Sequence, residues 1–412
     1  MYSAVSVPVR RLEDYAAVIS SPAYEELAAI AAPLRGARVL HLSTLAFGTA
    51  ATEFLSALVP LQRSLGLQAE WRVIAASEEF RTLCQQLYQA LTGLYVPWTP
   101  ALQACWQAYL AQCAAQFPQE LPYDFVVVHD PQPLGILGHL KQPRGRWIWH
   151  SHQDLREAQP EVWDVLRAMV APYTAAVFAA EDYWPPELPI AQRFVIPPAI
   201  DPLSGRNVAL PRDVITEVLR RYGIDPDRPL LCQIAPVDPW NDPLRLIDAY
   251  RMVKAERPEV QLVLVATMGA AGADTHAYYE RVARHAAGDP DIHLLSTLNN
   301  VGHTEQNAFQ RAAAVVCQTG VRRGFSIALL DAAWKRRPVV AGRVWGLPLQ
   351  VIDGETGLLA DSAEEFGTAV LRLLRLPEEA ERLGANGQRY VEERFLVLRG
   401  LRDYCRLFAA LR

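Results

Sequence analysis

Through almost the whole chain, short apolar runs alternate with longer stretches whose apolar positions recur at helical spacing. In the first half the runs fall at 37–42, 70–75, 125–129, 147–150, 176–178 and 193–196, several of them rich in Val and Ile. Runs that are apolar throughout, rather than alternating, suit strands covered by helices on both faces. Helix-length segments such as 52–65 and 161–171 separate them, after a helical lead at 11–34. This rhythm predicts a doubly wound parallel sheet.

The turn-rich stretch 197–211 breaks the rhythm and reads as an interdomain linker. The alternation then restarts. Strands are expected at 230–234, 261–266, 292–295, 314–318 and 338–341, with helices at 212–222, 243–254, 275–287, 305–312 and 326–334. The expected fold class is α/β, with two Rossmann-like domains facing a cleft. An N-terminal domain over 1–205 and a C-terminal one over 206–395 are followed by a helix, 396–412, that crosses back to the first domain. Ligands of such sheets bind at the carboxyl ends of the strands.

Composition narrows the partners. A chain of 412 residues, 51% apolar and 21% charged, suits two well-packed domains. Its net charge of −5 provides no basic field for nucleic acid or an anionic membrane. The longest apolar stretch, 170–180, contains Pro172 and is far too short for a membrane span. Arg10 and Arg11 are not followed by an apolar segment of the secretory type, and the six cysteines form no Cys-x-x-Cys pair. The expectation is a cytoplasmic protein with reduced, buried thiols and no membrane or nucleic-acid partner. A small sugar or nucleotide sugar is the more natural ligand.

Several segments together carry a family resemblance: VVVHDPQP at 126–133, WIWHSHQDL at 147–155, IPPAIDPLS at 196–204, DPWNDP at 238–243, NAFQRA at 307–312, GFSIALLDAAWKRRPVV at 324–340 and LPLQVIDGETGLL at 347–359. In this order they resemble the retaining glycosyltransferases of GT-B fold, glycosyltransferase family 4. The likeness is specifically to the trehalose glycosyltransferring synthases, which join the glucosyl group of a nucleotide-diphosphate glucose to glucose. The resemblance runs from about residue 13 to the last helix. It implies a nucleotide-diphosphate sugar held mainly by the C-terminal domain, an acceptor held mainly by the N-terminal one, and no required metal or other cofactor. It also leaves a homodimer open; a protein partner is equally open.

The donor side departs from the family pattern. A departing nucleoside diphosphate carries concentrated negative charge that cations must stabilise when no metal does so. The resemblance implies an Arg and a Lys in a segment of the type R-F-D-P-W-K-D-P, where this chain has Pro236 and Asn241. Removing one electrostatic donor of this kind costs roughly 10²–10³ in rate. In the family's E-G-F-G-L…E segment, the first Glu lies near the donor sugar and the second binds the ribose. Here the segment reads Arg323, Gly324, Phe325, Ser326, then Asp331. Arg323 reverses a charge, Asp331 is one methylene shorter, and the helix start at Gly324–Ser326 survives as a place for anions. The family's glycine turns correspond to Gly48, in Phe47-Gly48-Thr49-Ala50, and to Trp345-Gly346; a Trp in place of Gly either fills ligand volume or stacks on a base or sugar.

The acceptor side persists. His152, in the W-x-x-H-x-D pattern, matches the family histidine that contacts the transferred or accepting sugar, and Asp154 is expected to orient it. His129 and Asp130 are placed in a loop after the third strand, as a loop brace or a ligand contact. The basic residues Arg322, Arg323, Lys335, Arg336, Arg337 and Arg343 read as a solvated helix face or as a relocated phosphate site. Two functions stay open. The altered anchors on an intact scaffold favour a weak or inactive homologue that keeps a sugar-, nucleotide- or partner-binding role. The alternative is an active retaining transferase moving a hexosyl group to a small sugar, using His152, the helix start and Asp331, with Arg323 or Arg343 replacing the missing cations. Different chemistry in the same cleft, such as phosphorolysis, is a third.

Overall fold

The computed structural model describes residues 2–74, 77–117, 123–267, 273–320, 324–344 and 346–412. They form two units: Met1–Ala199 with Val397–Arg412, and Ile200–Leu396. The break falls at Ala199 rather than after residue 205. The reason is local: Ile200 donates its N–H to the Phe395 carbonyl (2.8 Å) and bridges Leu396 in parallel, which ties the supposed linker into the second unit.

In the first unit, seven strands are β1 (Tyr2–Ala4), β2 (Arg38–Ser43), β3 (Gln68–Ile74), β4 (Phe125–His129), β5 (Arg146–His150), β6 (Ala175–Phe178) and β7 (Gln192–Val195). They lie in the order β1-β3-β2-β4-β5-β6-β7, with only β1 antiparallel. Chain order reverses between β2 and β4, so the crevice for a ligand opens beyond Ser43 and His129. The expected helical lead at 11–34 is broken: a 3₁₀ turn, Leu12–Tyr15, precedes the helix Ser21–Ala31, whose start is set by the Ser20 cap and a proline in its first turn. Helices Glu78–Leu91 and Pro100–Ala115, for which the apolar rhythm gave no element, begin at the caps Ser77 and Thr99.

The last helix, Val397–Leu411, packs on this unit against the helix Ala50–Ser64. Gly400 makes that approach work, since a Cβ there would sit 2.7 Å from the Phe54 ring.

The second unit has β8 (Leu230–Pro236), β9 (Gln261–Thr267), β10 (Ile292–Ser296), β11 (Val315–Gln318), β12 (Val339–Gly342) and β13 (Leu358–Ala360). The order is β10-β9-β8-β11-β12-β13, all parallel, with its reversal between β8 and β11. Alternate residues feed two separate cores: Leu231, Leu262 and Cys317 on one face, Cys232, Val263 and Val316 on the other. This is why the strands read as continuous apolar runs. Cys113, Cys232, Cys317 and Cys405 are buried free thiols, but Cys105 is exposed on its helix and departs from that expectation.

Candidate functional site

The carboxyl ends of the first sheet carry a file of histidines. Register puts His41 of β2 opposite Val127 of β4, and His129 opposite His150 of β5, so all three imidazoles emerge on one face. His129 is therefore the last residue of its strand, not part of a loop. His41 Nε2 lies 3.0 Å from Gln62 Oε1, and His41 Nδ1 lies 3.0 Å from His129 Nε2. The chain continues from His129 Nδ1 to His152 Nε2, again 3.0 Å. His150 stacks on His152 with ring centroids 4.0 Å apart, and its Nδ1 is hydrogen-bonded to the Tyr404 hydroxyl on the last helix.

Burial disfavours charge throughout this file. It pulls His41 down to about 4, against a smaller upward pull from its bond to Gln62. His129 and His150 are held well below the usual imidazole range by burial first and by neighbouring imidazoles second. His152 is lowered by burial, with the Asp130 charge opposing, and burial raises the Asp130 carboxyl. The group is a neutral, hydrogen-bonded imidazole chain that ends at half-buried His152.

Asp130, rather than Asp154, is the carboxylate hydrogen-bonded to His152, and it holds that residue by its backbone N–H and not by its ring. The backbone at Asp130 turns through φ +64°, a conformation Asp tolerates better than most residues, and its Oδ1 accepts the His152 N–H at 3.2 Å. Asp154 is committed to Arg156, Nη2 to Oδ2 at 2.6 Å, with the guanidinium lying over Tyr183. Gly48 occupies an exposed turn at φ +85° just before the Thr49 cap of the helix Ala50–Ser64, with open space where a Cβ would be.

In the second unit the loop after β8 is built around Asn241. Its side chain is buried: Nδ2 donates to the Pro236 carbonyl (3.2 Å) and to Asp238 Oδ1 (2.9 Å), and Oδ1 accepts from Gln318 Nε2 (3.1 Å). Its carbonyl accepts from Gln233 Nε2 and the Thr319 hydroxyl, 3.2 and 2.8 Å. Every polar atom of this residue is thus used inside the fold. Pro236 ends β8 exposed, with no side-chain donor.

The helix Ile327–Trp334 begins at Ser326, whose hydroxyl oxygen accepts the Leu329 N–H at 3.3 Å. Gln350 brackets the same residue, accepting its N–H (2.7 Å) and donating to its carbonyl (2.9 Å). Gly324 and Phe325 precede this cap, half-buried, with the Phe325 ring 6.1 Å from that of Phe395; Gly346 is buried at the start of the 3₁₀ turn Leu347–Leu349. Asp331 does not present its carboxylate at a surface. It is 2% exposed, accepts from Asn207 Nδ2 at 2.7 Å, and has Arg206 Nη1 3.6 Å away. Lys335 completes this network by donating to Asn207 Oδ1, Gln310 Oε1 and the Asp331 carbonyl at 2.9, 2.8 and 3.1 Å.

The basic stretch is likewise committed. Lys335 is buried, Arg337 donates to the Ala313 carbonyl, and Arg343 donates to Asp353 Oδ2 at 2.9 Å and to the Leu359 carbonyl. Arg336, at φ +60°, lies 3.9 Å from Glu381. Arg322, Arg323 and Trp345 lie outside the described residues.

Comparison with known proteins divides the chain in the same way. Residues 41–185 match the family described as trehalose synthase, N-terminal domain, and residues 214–390 match glycosyl transferases group 1. The trehalose synthase of Rubrobacter xylanophilus is 42% identical over 98% of this chain and 97% of its own length. This chain belongs to the trehalose synthase family of glycosyltransferases. A second member, the trehalose synthase of Pyrococcus horikoshii, is 34% identical over 98% of this chain and 97% of its own. Among solved structures, a trehalose-6-phosphate synthase, OtsA, superposes with a TM-score of 0.75 over 91% of this chain and all of that one, at 12% identity. The likeness of fold establishes the expected GT-B class: two parallel-sheet α/β units. No helix of the described residues is long and apolar enough to cross a membrane.

Against this family background, motif matching overlooked His41, Gln62, His150 and Tyr404. His41 and Tyr404 lie far from the HSHQD motif in sequence, and only the β2–β4–β5 register and the returning last helix bring them to it. A histidine inside an otherwise apolar strand run, as at 41 in VLHLS, is the one signal that could have drawn attention.

Proposed function

We propose that this trehalose-synthase-family protein keeps the acceptor-sugar side of the fold and has lost most of its grip on the donor diphosphate, so that it binds sugar or nucleotide and transfers weakly or not at all. The observation that carries this reading is the state of Asn241. The residue at the expected lysine position is neutral and turned inward, with each of its polar atoms bonded within its own loop and strand ends. A neutral buried amide offers nothing to a departing diphosphate, and Pro236 beside it has no donor. Enclosure of Asp331 by Asn207 and Arg206 supports the same reading, because a ribose would have to displace both. His152, presented at the end of the imidazole chain, is the group proposed to meet a sugar hydroxyl.

The likeness to trehalose synthases over nearly the whole chain favours a second reading, an active retaining transferase that moves a hexosyl group from a nucleotide-diphosphate sugar to a small sugar. Isothermal titration with UDP-, ADP- and GDP-glucose, with glucose and trehalose as controls, separates the two when combined with a turnover assay. The proposed reading expects sugar or weak nucleotide binding without appreciable transfer; tight donor binding with turnover overturns it. In the same assay, Pro236→Arg with Asn241→Lys should raise transfer, by roughly the 10²–10³ that one such donor is worth or more. Flat activity in a double variant whose melting temperature is unchanged would mean that the phosphate grip is not the missing element.

A further inference from the structure

Three of the histidines in the first unit form a set that sequence motifs do not suggest. One ring nitrogen from each of His129, His150 and His152 lies within 4.8 Å of the others. His129 Nδ1 and His152 Nε2 are already 3.0 Å apart. Two imidazole nitrogens on a tetrahedral ion, each at 2.0–2.1 Å from the metal, are separated by about 3.3 Å. That pair is a few tenths of an ångström short of this separation, and on binding the two rings turn so that their lone pairs meet at the ion instead of at each other, with the third nitrogen, within 4.8 Å, drawn in beside them.

One tautomer set consistent with the surroundings leaves a lone pair on each ring. Gln62 Oε1 only accepts, so His41 Nε2 bears a proton and His41 Nδ1 is bare. His129 must then donate from Nε2 to His41, which leaves His129 Nδ1 bare and directed at His152. For His150, the Tyr404 oxygen can accept from Nδ1–H, which leaves Nε2 as the free lone pair. Ligand histidines characteristically have the second nitrogen anchored by an acceptor in just this way, and two of the three here do.

We propose that His129, His150 and His152 bind one first-row divalent ion of the Zn²⁺ or Co²⁺ type, through His129 Nδ1, His150 Nε2 and His152 Nε2, with the fourth position open to water. An all-imidazole set suits such ions and not Mg²⁺ or Ca²⁺, which prefer oxygen. On binding, the proton that His152 Nε2 shares with His129 is released or moves to His152 Nδ1. The ion serves as a block on His152 and supplies no chemistry for transfer. Where His152 also meets a sugar, as proposed above, ion and sugar exclude one another; that corollary rests on the functional reading, whereas ion binding does not.

The test uses the full-length, chelator-stripped protein titrated with Co²⁺ and with Zn²⁺. One equivalent of Co²⁺ should give the visible d–d absorption of a tetrahedral site, and zinc-edge X-ray absorption should show three imidazole ligands and one oxygen. His150→Phe keeps the aromatic packing against Tyr404 and should weaken binding at least about 100-fold, and Tyr404→Phe, which removes only the outer anchor, about 10-fold. Absence of stoichiometric binding overturns the proposal, as does a thiolate or all-oxygen shell on the wild-type protein. Binding undiminished in His150→Phe overturns it too, by placing the ion on other residues.

Discussion

Replacing Asn241 by Leu, close to it in size but without polar atoms, isolates the brace that distinguishes the loop after β8. The substitution deletes two donated bonds, to the Pro236 carbonyl and Asp238 Oδ1, and withdraws the acceptor of Gln318 Nε2. Gln318 is 4% exposed, so water does not readily replace that acceptor. A buried donor without a partner costs about 1–3 kcal/mol, and each net hydrogen bond lost about 1 kcal/mol. Some of this is recovered by the apolar side chain, which leaves about 2–4 kcal/mol. In a unit of roughly 200 residues, where 1 kcal/mol moves Tm by about 2–4 °C, the unfolding transition should fall by about 5–15 °C. Differential scanning calorimetry measures the shift, and amide exchange should localise it to 236–242 and the end of β11. A transition that moves by less than about 2 °C would refute the brace and return Asn241 to the list of groups free to meet a ligand.

Two further outcomes follow from packing and burial. Gly400→Ala should cost about 1–3 kcal/mol, because the new methyl would lie 2.7–2.8 Å from Phe54 ring carbons; Phe54→Leu in the same chain should recover part of the lost Tm, and an unshifted Gly400→Ala melt would contradict the close helix approach. Lys335, lowered from 10.5 to about 7 by burial against a weaker upward pull from Asp331, binds fewer protons folded than unfolded between those values. Its cost is therefore full below pH 7 and is relieved as pH rises toward 10.5. The stability of wild type relative to Lys335→Met, from urea unfolding of the full chain, should rise by up to about 1.4 kcal/mol per pH unit across that window, and a constant difference would contradict it.

What could be read from sequence was what lies in continuous stretches. VVVH at 126–129 is apolar to its last position and flanked by turn residues, and β4 is observed over Phe125–His129. The helices Glu78–Leu91 and Pro100–Ala115 escaped because they follow one another between the runs at 70–75 and 125–129, with no strand-like run between them to set the rhythm; their caps, Ser77 accepting from the Phe80 N–H and Thr99 ahead of a proline, were the better signals. The site was harder, because sequence proximity is a poor guide to contact at a strand end. Asp154 lies two residues from His152 yet turns to Arg156, while Asp130, 22 residues away, reaches the backbone N–H of His152 across the β4–β5 pairing. At 241 a neutral residue in place of a lysine reads only as a missing charge. Its positive role as a brace depends on Gln233, Gln318 and Thr319, which no local pattern links to it.

That brace also bears on the proposed test that adds cations at 236 and 241. An arginine at 236 stands at the exposed end of β8 and displaces no side-chain bond, so its cation can be added without disturbing the loop. A lysine at 241 cannot be added on the same terms. To reach a diphosphate it must leave the buried position that Asn241 fills, and Gln318 then faces the same deficit as in Asn241→Leu. Kept inside, it would instead be a buried ammonium among amides, with the desolvation cost that burial imposes on Lys335. The two changes are therefore unequal: one adds charge to a surface, the other exchanges a structural role for an electrostatic one. A lysine at 241 is thus incompatible with the loop's present architecture unless Gln318 and Gln233 find new partners.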